Sequence, residues 1–386
     1  MTIEIPIDFW DPSRGGAEGY LWRLSRGLIA RGHRLRVLCL GSNPRFEEGI
    51  SIEKLAVPRW PRWRRELALA REALGRRQSG GADVTLAVRH ALEADVYQPH
   101  GGPFRTAVRE SLAGVKPALL RRTKLLLRYL RPATRALLRL DREILLRSRG
   151  LVTVSLSRKV EDEFRRAYPG VSFRFERIYN GVDLDEFHDR DRPERARALR
   201  ERFAIPGGRT VALFVGHKFG PKGLADAITA LAGLPDFHLV VLGSGRKKAF
   251  ERLARSLGMQ GRLDFAGQSV EPRGFYAGAE VLLHPTYYDP CSLSVLESLA
   301  CGTPVITTTA NGASELMESG REGYVIAPGD PASLARAARA VAADWNGFHQ
   351  RALERAKDLS FHHHLDSMER VLLRAAEERR RRRESP

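Results

Sequence analysis

Short apolar runs, each closed by Gly, Pro or Asn, alternate along this chain with longer stretches of helical spacing. Residues 3–7 alternate like a short strand, pass a Gly15-Gly16 turn into a helix ending near Arg31, and are followed by an apolar strand at 35–40. Further strands are predicted at 94–98, 150–155, 210–215, 237–242, 263–267, 279–284 and 305–308. Helices fall between them, including 156–168, 223–231, a short one carrying Glu297, and 334–343. Residues 361–376 form a last amphipathic helix, and 377–386 read as a charged, frayed tail. Strands alternating with helices predict an α/β protein with parallel sheets. The turn-rich stretch around Asn180-Gly181-Val-Asp183 divides it into domains at 1–182 and 183–360, a division that 386 residues readily accommodate.

Composition narrows this picture. A 43% hydrophobic and 28% charged chain is globular. Cys39, Cys291 and Cys301 form no disulfide framework or metal-binding pair, which fits a reducing cytosol. No cationic leader precedes an apolar stretch, and no apolar run reaches membrane-spanning length, so neither a signal peptide nor a transmembrane helix is expected.

Charge is uneven. Residues 1–180 carry 35 Lys/Arg against 19 Asp/Glu, a net of +16, out of +18 for the whole chain. Such a field attracts a polyanion: anionic lipid, nucleic acid or an acidic glycan. Within it, residues 59–65 interleave Trp60 and Trp63 with four arginines. This is either a surface loop packing its tryptophans on the domain or an interfacial patch. Residues 116–150 are nearly all Leu and Arg: Arg121, Arg128, Arg135, Arg142 and Arg149 recur every seven residues, opposite an apolar face of Leu126, Leu130, Leu137, Leu140 and Ile144. Pro132 separates or kinks two helices here. A surface helix packed on the core and a contact with anionic lipid are both open readings. A nucleic-acid-binding protein is the rival from another class, although no RNA- or DNA-binding module is apparent.

The chemistry concentrates in loops. Glycines at the first βα turn let a ligand approach a helix N-terminus, and the absence of GxGxxG argues against nicotinamide or flavin. His100, followed by Gly101 and Gly102, ends a strand where open α/β sheets bind ligands, though a lone loop histidine is often incidental. The run His217-Lys218-Phe-Gly220-Pro-Lys222-Gly223 places cations and glycines between strand and helix, a cradle for a diphosphate. Asp289 and Glu297 flank a helix start that Ser292 or Ser294 can cap, and whose N–H groups suit a phosphate or a sugar hydroxyl. Asp183-x-Asp185 resembles a metal-binding pair but sits in a turn, so a structural role is expected. His362, His363 and His364 point apart on a helix, so no zinc site is expected.

Taken in order, Val215-Gly-His217 to Lys222-Gly223, Asp289-x7-Glu297, Cys301-Gly-Thr-Pro304, Asn311-Gly-Ala-Ser-Glu315 and Gly323 to Asp330 resemble the retaining glycosyltransferases of family 4. The resemblance implies the GT-B fold, two Rossmann-like domains facing across a cleft. The first domain receives the acceptor, the second holds the nucleotide sugar, and the helix within 361–386 crosses back to the first. It further implies that Lys222 grips the donor diphosphate with His217 or Lys218, and that Glu297 bonds the ribose. Asp289, Ser292, Leu293 and Ser294 meet the donor sugar and phosphates, and Gly15 and Gly16 close on the phosphates. His100, Lys222 and Asp289 form the catalytic set, with Glu18, Gly101 and Gly102 on the acceptor side. On the lipid-contact reading, Trp60, Trp63, Arg121, Arg128, Arg135 and Arg142 face the membrane. Two positions depart from the pattern: Asp289 stands where Glu is usual, and His217 where a phosphate-binding Arg is usual. Either Lys218 substitutes for that Arg or the diphosphate is held less tightly.

The GHKFGPKG run and the compact Tyr288-Asp-Pro-Cys-Ser-Leu version of the acidic motif are similar to the lipopolysaccharide core glucosyltransferase branch. That implies glucose transfer from UDP-glucose to a lipid-linked, phosphorylated saccharide on the cytoplasmic face of the inner membrane. No metal or other cofactor is expected. Another nucleotide sugar with a different glycan acceptor is the alternative within the family.

Overall fold

The computed structural model describes residues 1–11, 16–43, 48–57, 60–89, 91–115, 117–269 and 271–384. Contacts divide the chain into two compact units. The first comprises residues 1–109, 118–179 and 364–386; the second comprises 110–117 and 180–363. The division falls at 179/180, close to the turn-rich stretch expected to hold it, and additionally assigns 110–117 to the second unit.

The first unit is built on seven strands: β1 (Thr2–Ile7), β2 (Arg34–Cys39), β3 (Ile50–Lys54), β4 (Val84–Ala87), β5 (Val96–Tyr97), β6 (Val152–Ser155) and β7 (Arg174–Arg177). They lie in the order β3-β2-β1-β4-β5-β6-β7, every pair parallel. The order reverses between β1 and β4, and the carboxyl ends at such a reversal are where a doubly wound sheet binds ligands. Ile3, Ile5 and Ile7 are fully buried, as are Leu21, Leu24 and Leu28 of the helix Ala17–Ala30. Both faces of β1 are covered: Glu4 and Pro6, which alternate with the isoleucines, are buried as well.

The second unit repeats the plan with β8 (Thr210–Val215), β9 (Phe237–Leu242), β10 (Leu263–Gly267), β11 (Val281–His284), β12 (Val305–Thr308) and β13 (Gly323–Ile326). Its order is β10-β9-β8-β11-β12-β13, all parallel, so β8 and β11 flank the reversal. Phe214, Leu239, Val281, Leu283 and Ile306 form its core with the helices Leu224–Ala232 and Pro331–Ala343.

Two expectations are corrected. Residues 377–384 do not fray: the last helix runs from Phe361 to Glu384 without interruption. Arg379 is 5% exposed, because the buried Asp95 carboxylate needs a cation and takes one from this helix. The Leu/Arg stretch does break before Pro132, into Ala118–Leu130 and Pro132–Arg147, but its apolar face is not continuous. Leu140 and Ile144 are buried, whereas Leu126 and Leu130 are more than half exposed, since the first of the two helices buries no residue at all.

Candidate functional site

In the second unit the loops leaving β8 and β11 meet. Lys222 Nζ lies 2.5 Å from Asp289 Oδ2, and His284 Nε2 lies 3.4 Å from the same oxygen. Gly223 makes the approach possible: its φ is +82°, and a Cβ there would lie 2.0 Å from the Pro285 carbonyl oxygen. Gly243 plays the same part beside β8, at φ +126°, where a Cβ would lie 2.1 Å from the Gly216 carbonyl oxygen.

Burial alone would raise the Asp289 carboxyl, but the Lys222 ammonium and the His284 imidazole outweigh it and hold it well below the usual carboxylate range. Burial lowers His284, which stays neutral beside the ion pair. The backbone of Asp289 is pinned independently: its N–H donates to Ala310 O (3.1 Å), and its carbonyl accepts from Gly312 N–H (2.9 Å). Asn311 completes the brace, its Oδ1 accepting from the N–H groups of Ser292 (3.2 Å) and Ala313 (3.1 Å). Asn180 Nδ2 donates to Cys291 O at 2.8 Å.

Ser292 occupies the N-cap position of the helix Leu293–Ala300, but its side chain makes no capping bond. The expected Ser292 cap is therefore absent; the backbone of Ser292 is held by Asn311 instead, so the first N–H groups of that helix keep their hydrogen-bonding capacity for a ligand. Leu293 and Ser294 are half-buried at its first turn. Glu297 accepts from Tyr276 Oη–H at 2.8 Å, which fixes the carboxylate. Across the β8 loop, His217 is exposed, with Nδ1 2.8 Å from Ser244 Oγ. Lys218 has φ +57°, a left-handed backbone uncommon outside glycine, and its N–H donates to Ser244 O. The arrangement joins a preset cation, a braced carboxylate and open helix N–H groups, and suits an anionic ligand with hydroxyls.

In the first unit Gly16 has φ +74°, and among the described residues nothing lies within 4 Å of where its Cβ would be. Gly15 lies outside the described residues. Glu18 accepts from Arg89 at 2.6 Å. Gly101 is exposed and Gly102 buried at φ +68°. His100 is half-buried, and burial pushes its imidazole down to about 3.

The basic elements separate from this chemistry. Trp60 is exposed; Trp63 is half-buried, with the Arg64 guanidinium 5.2 Å from its ring centroid. Arg59 and Lys116 lie outside the described residues. Arg121, Arg135 and Arg142 are exposed and Arg128 half-buried. Leu119, Leu120, Leu126, Leu127 and Leu130 form an exposed apolar stripe on the helix Ala118–Leu130. No helix among the described residues is long and apolar enough to cross a membrane.

Asp183 spends its Oδ1 accepting from the N–H groups of Asp185 and Glu186, a turn bond. His364 is buried while His362 and His363 are exposed, so the three do not converge. The cysteines are buried, and burial pushes the Cys291 and Cys301 thiols up to about 12. Sequence reasoning missed the contacts of His284, Tyr276 and Asn180. Of these only His284 left a usable signal, as a histidine ending an apolar strand five residues before Asp289.

Comparison with known proteins gives two family models side by side, Glycosyltransferase Family 4 over residues 14–186 and Glycosyl transferases group 1 over 196–359. The lipopolysaccharide core biosynthesis glycosyltransferase LpsE of Rhizobium meliloti (strain 1021) is 33% identical over 160 residues, 41% of this chain and 47% of the relative. The lipopolysaccharide glucosyltransferase WaaG of Escherichia coli (strain K12) is 31% identical over 170 residues, 43% of this chain and 46% of the relative. The chain thus spans about half the length of these curated relatives. The crystal structure of WaaG, a glycosyltransferase involved in lipopolysaccharide biosynthesis, matches with a TM-score of 0.80 at 21% identity, over 96% of this chain and 99% of that one.

Proposed function

The chain belongs to the GT-B glycosyltransferases, and from that premise we propose that it is a retaining enzyme moving a hexose, glucose from UDP-glucose, onto a lipid-linked saccharide such as the lipopolysaccharide inner core. The observation that carries the reading is the Lys222–Asp289 pair beside an uncapped helix start, at the carboxyl ends of β8 and β11. The sugar and the acceptor rest on the names of LpsE and WaaG.

In this reading the donor diphosphate takes the Lys222 ammonium, already ordered by Asp289, so little reorganisation accompanies binding. The contacts to Asp289 from Lys222 and His284 are both to Oδ2, and Oδ1 serves a donor hydroxyl. As the bond from the anomeric carbon to the phosphate oxygen breaks, Lys222 and the helix N–H groups stabilise the charge that develops, without a metal ion. The acceptor oxygen bonds to the same face of the anomeric carbon, and its proton passes to the departing phosphate oxygen. The helix Ala118–Leu130, with its leucine stripe and cations, holds the enzyme on an anionic membrane surface where such an acceptor lies.

A thermal-shift screen over UDP-, GDP- and ADP-sugars, with turnover measured in chelator, tests this. UDP-glucose is expected to raise the unfolding midpoint, and Lys222→Ala to lower kcat by roughly two to three orders of magnitude. Near-normal turnover in Lys222→Ala, or no shift with any nucleotide sugar, would sink the donor-site assignment. Proton NMR of the anomeric centre of the product decides retention against inversion.

A further inference from the structure

His100 does not stand alone in the first unit. Its imidazole lies against the Tyr20 ring, centroids 4.2 Å apart and planes tilted by 54°. Its Nε2 is buried with no hydrogen-bond partner among the described residues. Tyr20 packs on this ring, and Tyr20 is itself held from two distant parts of the chain.

The direction of each bond can be worked out. The Tyr179 carbonyl can only accept, so His364 Nδ1, 2.7 Å away, carries the proton. Burial lowers His364 to about 4, so the ring is neutral at ordinary pH and its Nε2 can only accept. Tyr20 Oη–H accordingly donates to His364 Nε2 at 2.6 Å, and its oxygen accepts from Gln98 Nε2 at 2.8 Å. The chain runs in one sense, from Gln98 through Tyr20 and His364 to the Tyr179 carbonyl. Tyr20, Gln98 and His364 are all buried. A buried hydroxyl with one donor and one acceptor satisfied has a single rotamer open to it, and its ring a fixed plane.

We propose that Tyr20 is a positioning residue: fixed by Gln98 and by His364 of the last helix, it sets the plane of the His100 imidazole. The inference rests on the reading of His100 as the group beside the reacting sugar. It gives the last helix a part in catalysis besides packing, because His364 is the residue through which that helix fixes Tyr20. Among the described residues, His364 and Arg89, which is paired with Glu18, bear electrostatically on His100.

Tyr20→Phe, His364→Gln and Tyr20→Leu, in the full chain, test this. Tyr20→Phe keeps the aromatic face and removes the hydroxyl; its kcat is expected to fall on the order of tenfold with the donor KM nearly unchanged. His364→Gln retains an acceptor for the hydroxyl and is expected to keep most of kcat, whereas His364→Ala is expected to match Tyr20→Phe. The second readout needs no activity. With isotope-labelled histidine, assigned through His100→Gln, the wild-type His100 imidazole is expected to stay silent between pH 5 and 8, and to titrate in Tyr20→Leu, where the covering ring is gone. Wild-type kcat in both Tyr20 variants overturns the proposal, and so does an unchanged His100 titration in Tyr20→Leu. Should Tyr20→Leu fail to fold, kcat of Tyr20→Phe against His364→Gln decides. A wild-type protein that turns over no nucleotide sugar would sink the proposed function instead, and the imidazole titration alone would then decide whether Tyr20 holds His100.

Discussion

Two arginine-rich helices of the first unit have opposite fates. The helix Ala118–Leu130 buries nothing and shows leucines and cations to solvent. The end of the last helix, with its run Arg379–Arg383, docks. Arg379 reaches Asp95 Oδ2 at 3.0 Å and the Arg77 carbonyl at 2.9 Å, while Arg382 donates to the Arg149 carbonyl. The difference is a buried counter-ion. Asp95 is fully buried and also accepts a fork from Arg77 and the Thr85 N–H. Burial would raise its carboxyl, but the two arginines keep it below the usual range. A cationic helix end packs where an anion waits inside, and stays on the surface where none does.

The most damaging way to break the contrast is to remove the counter-charge. Arg379→Ala leaves Asp95 short of one buried partner and should lower stability by up to about 3–5 kcal/mol, while Arg381→Ala, which is exposed, should change it by about 0.5 kcal/mol or less. Chemical denaturation of both variants checks this; equal effects would mean that the arginine run acts only as a diffuse charge.

The exposed helix should answer the other way round. Leu126→Ser with Leu127→Ser removes two apolar side chains that already face solvent, so the unfolding midpoint should hold. Binding to vesicles containing anionic lipid should weaken by at least about tenfold, given roughly 1.5–3 kcal/mol for each leucine transferred out of water. Vesicle flotation beside a melting curve separates the two effects. A lowered midpoint with intact flotation would place those leucines against protein, not lipid.

The contrast also shows what could be read before the structure. β8 and β9 stand out because burial on both faces leaves long hydrophobic runs, and β1 stands out by its alternation. β3 (Ile-Ser-Ile-Glu-Lys) and β7 (Arg-Phe-Glu-Arg) lie at the two edges of their sheet, half exposed, and their polar residues hide them. β4 is fully buried but only four residues long, too short to show a period. Lys222, Asp289 and Glu297 could be picked out because each sits in a local loop motif. Tyr20 and His364 could not, since the bond joining them spans 344 positions and neither residue lies in a pattern. The two arginine helices look alike in composition because the carboxylate that separates them, Asp95, lies in a different part of the chain.

The smallest effect sharpens the comparison at the other end of the last helix. His364 is buried and neutral, with a folded pKa of about 4 against an unfolded value near 6.5. Between these values the unfolded chain binds more protons than the folded one, so stability is full above about pH 6.5 and declines as pH falls toward 4. For this one group the loss at pH 5 is on the order of 1–2 kcal/mol. The wild-type unfolding midpoint should therefore drop between pH 7 and pH 5. His364→Gln, less stable at pH 7, should show a shallower drop, with the remainder belonging to other buried histidines such as His284. The exposed helix carries no histidine, so vesicle binding should not follow the same curve. Identical slopes in wild type and His364→Gln would mean that the last helix is anchored at its start by packing alone, and that its pH-sensitive contact with Tyr20 carries no measurable share of the fold.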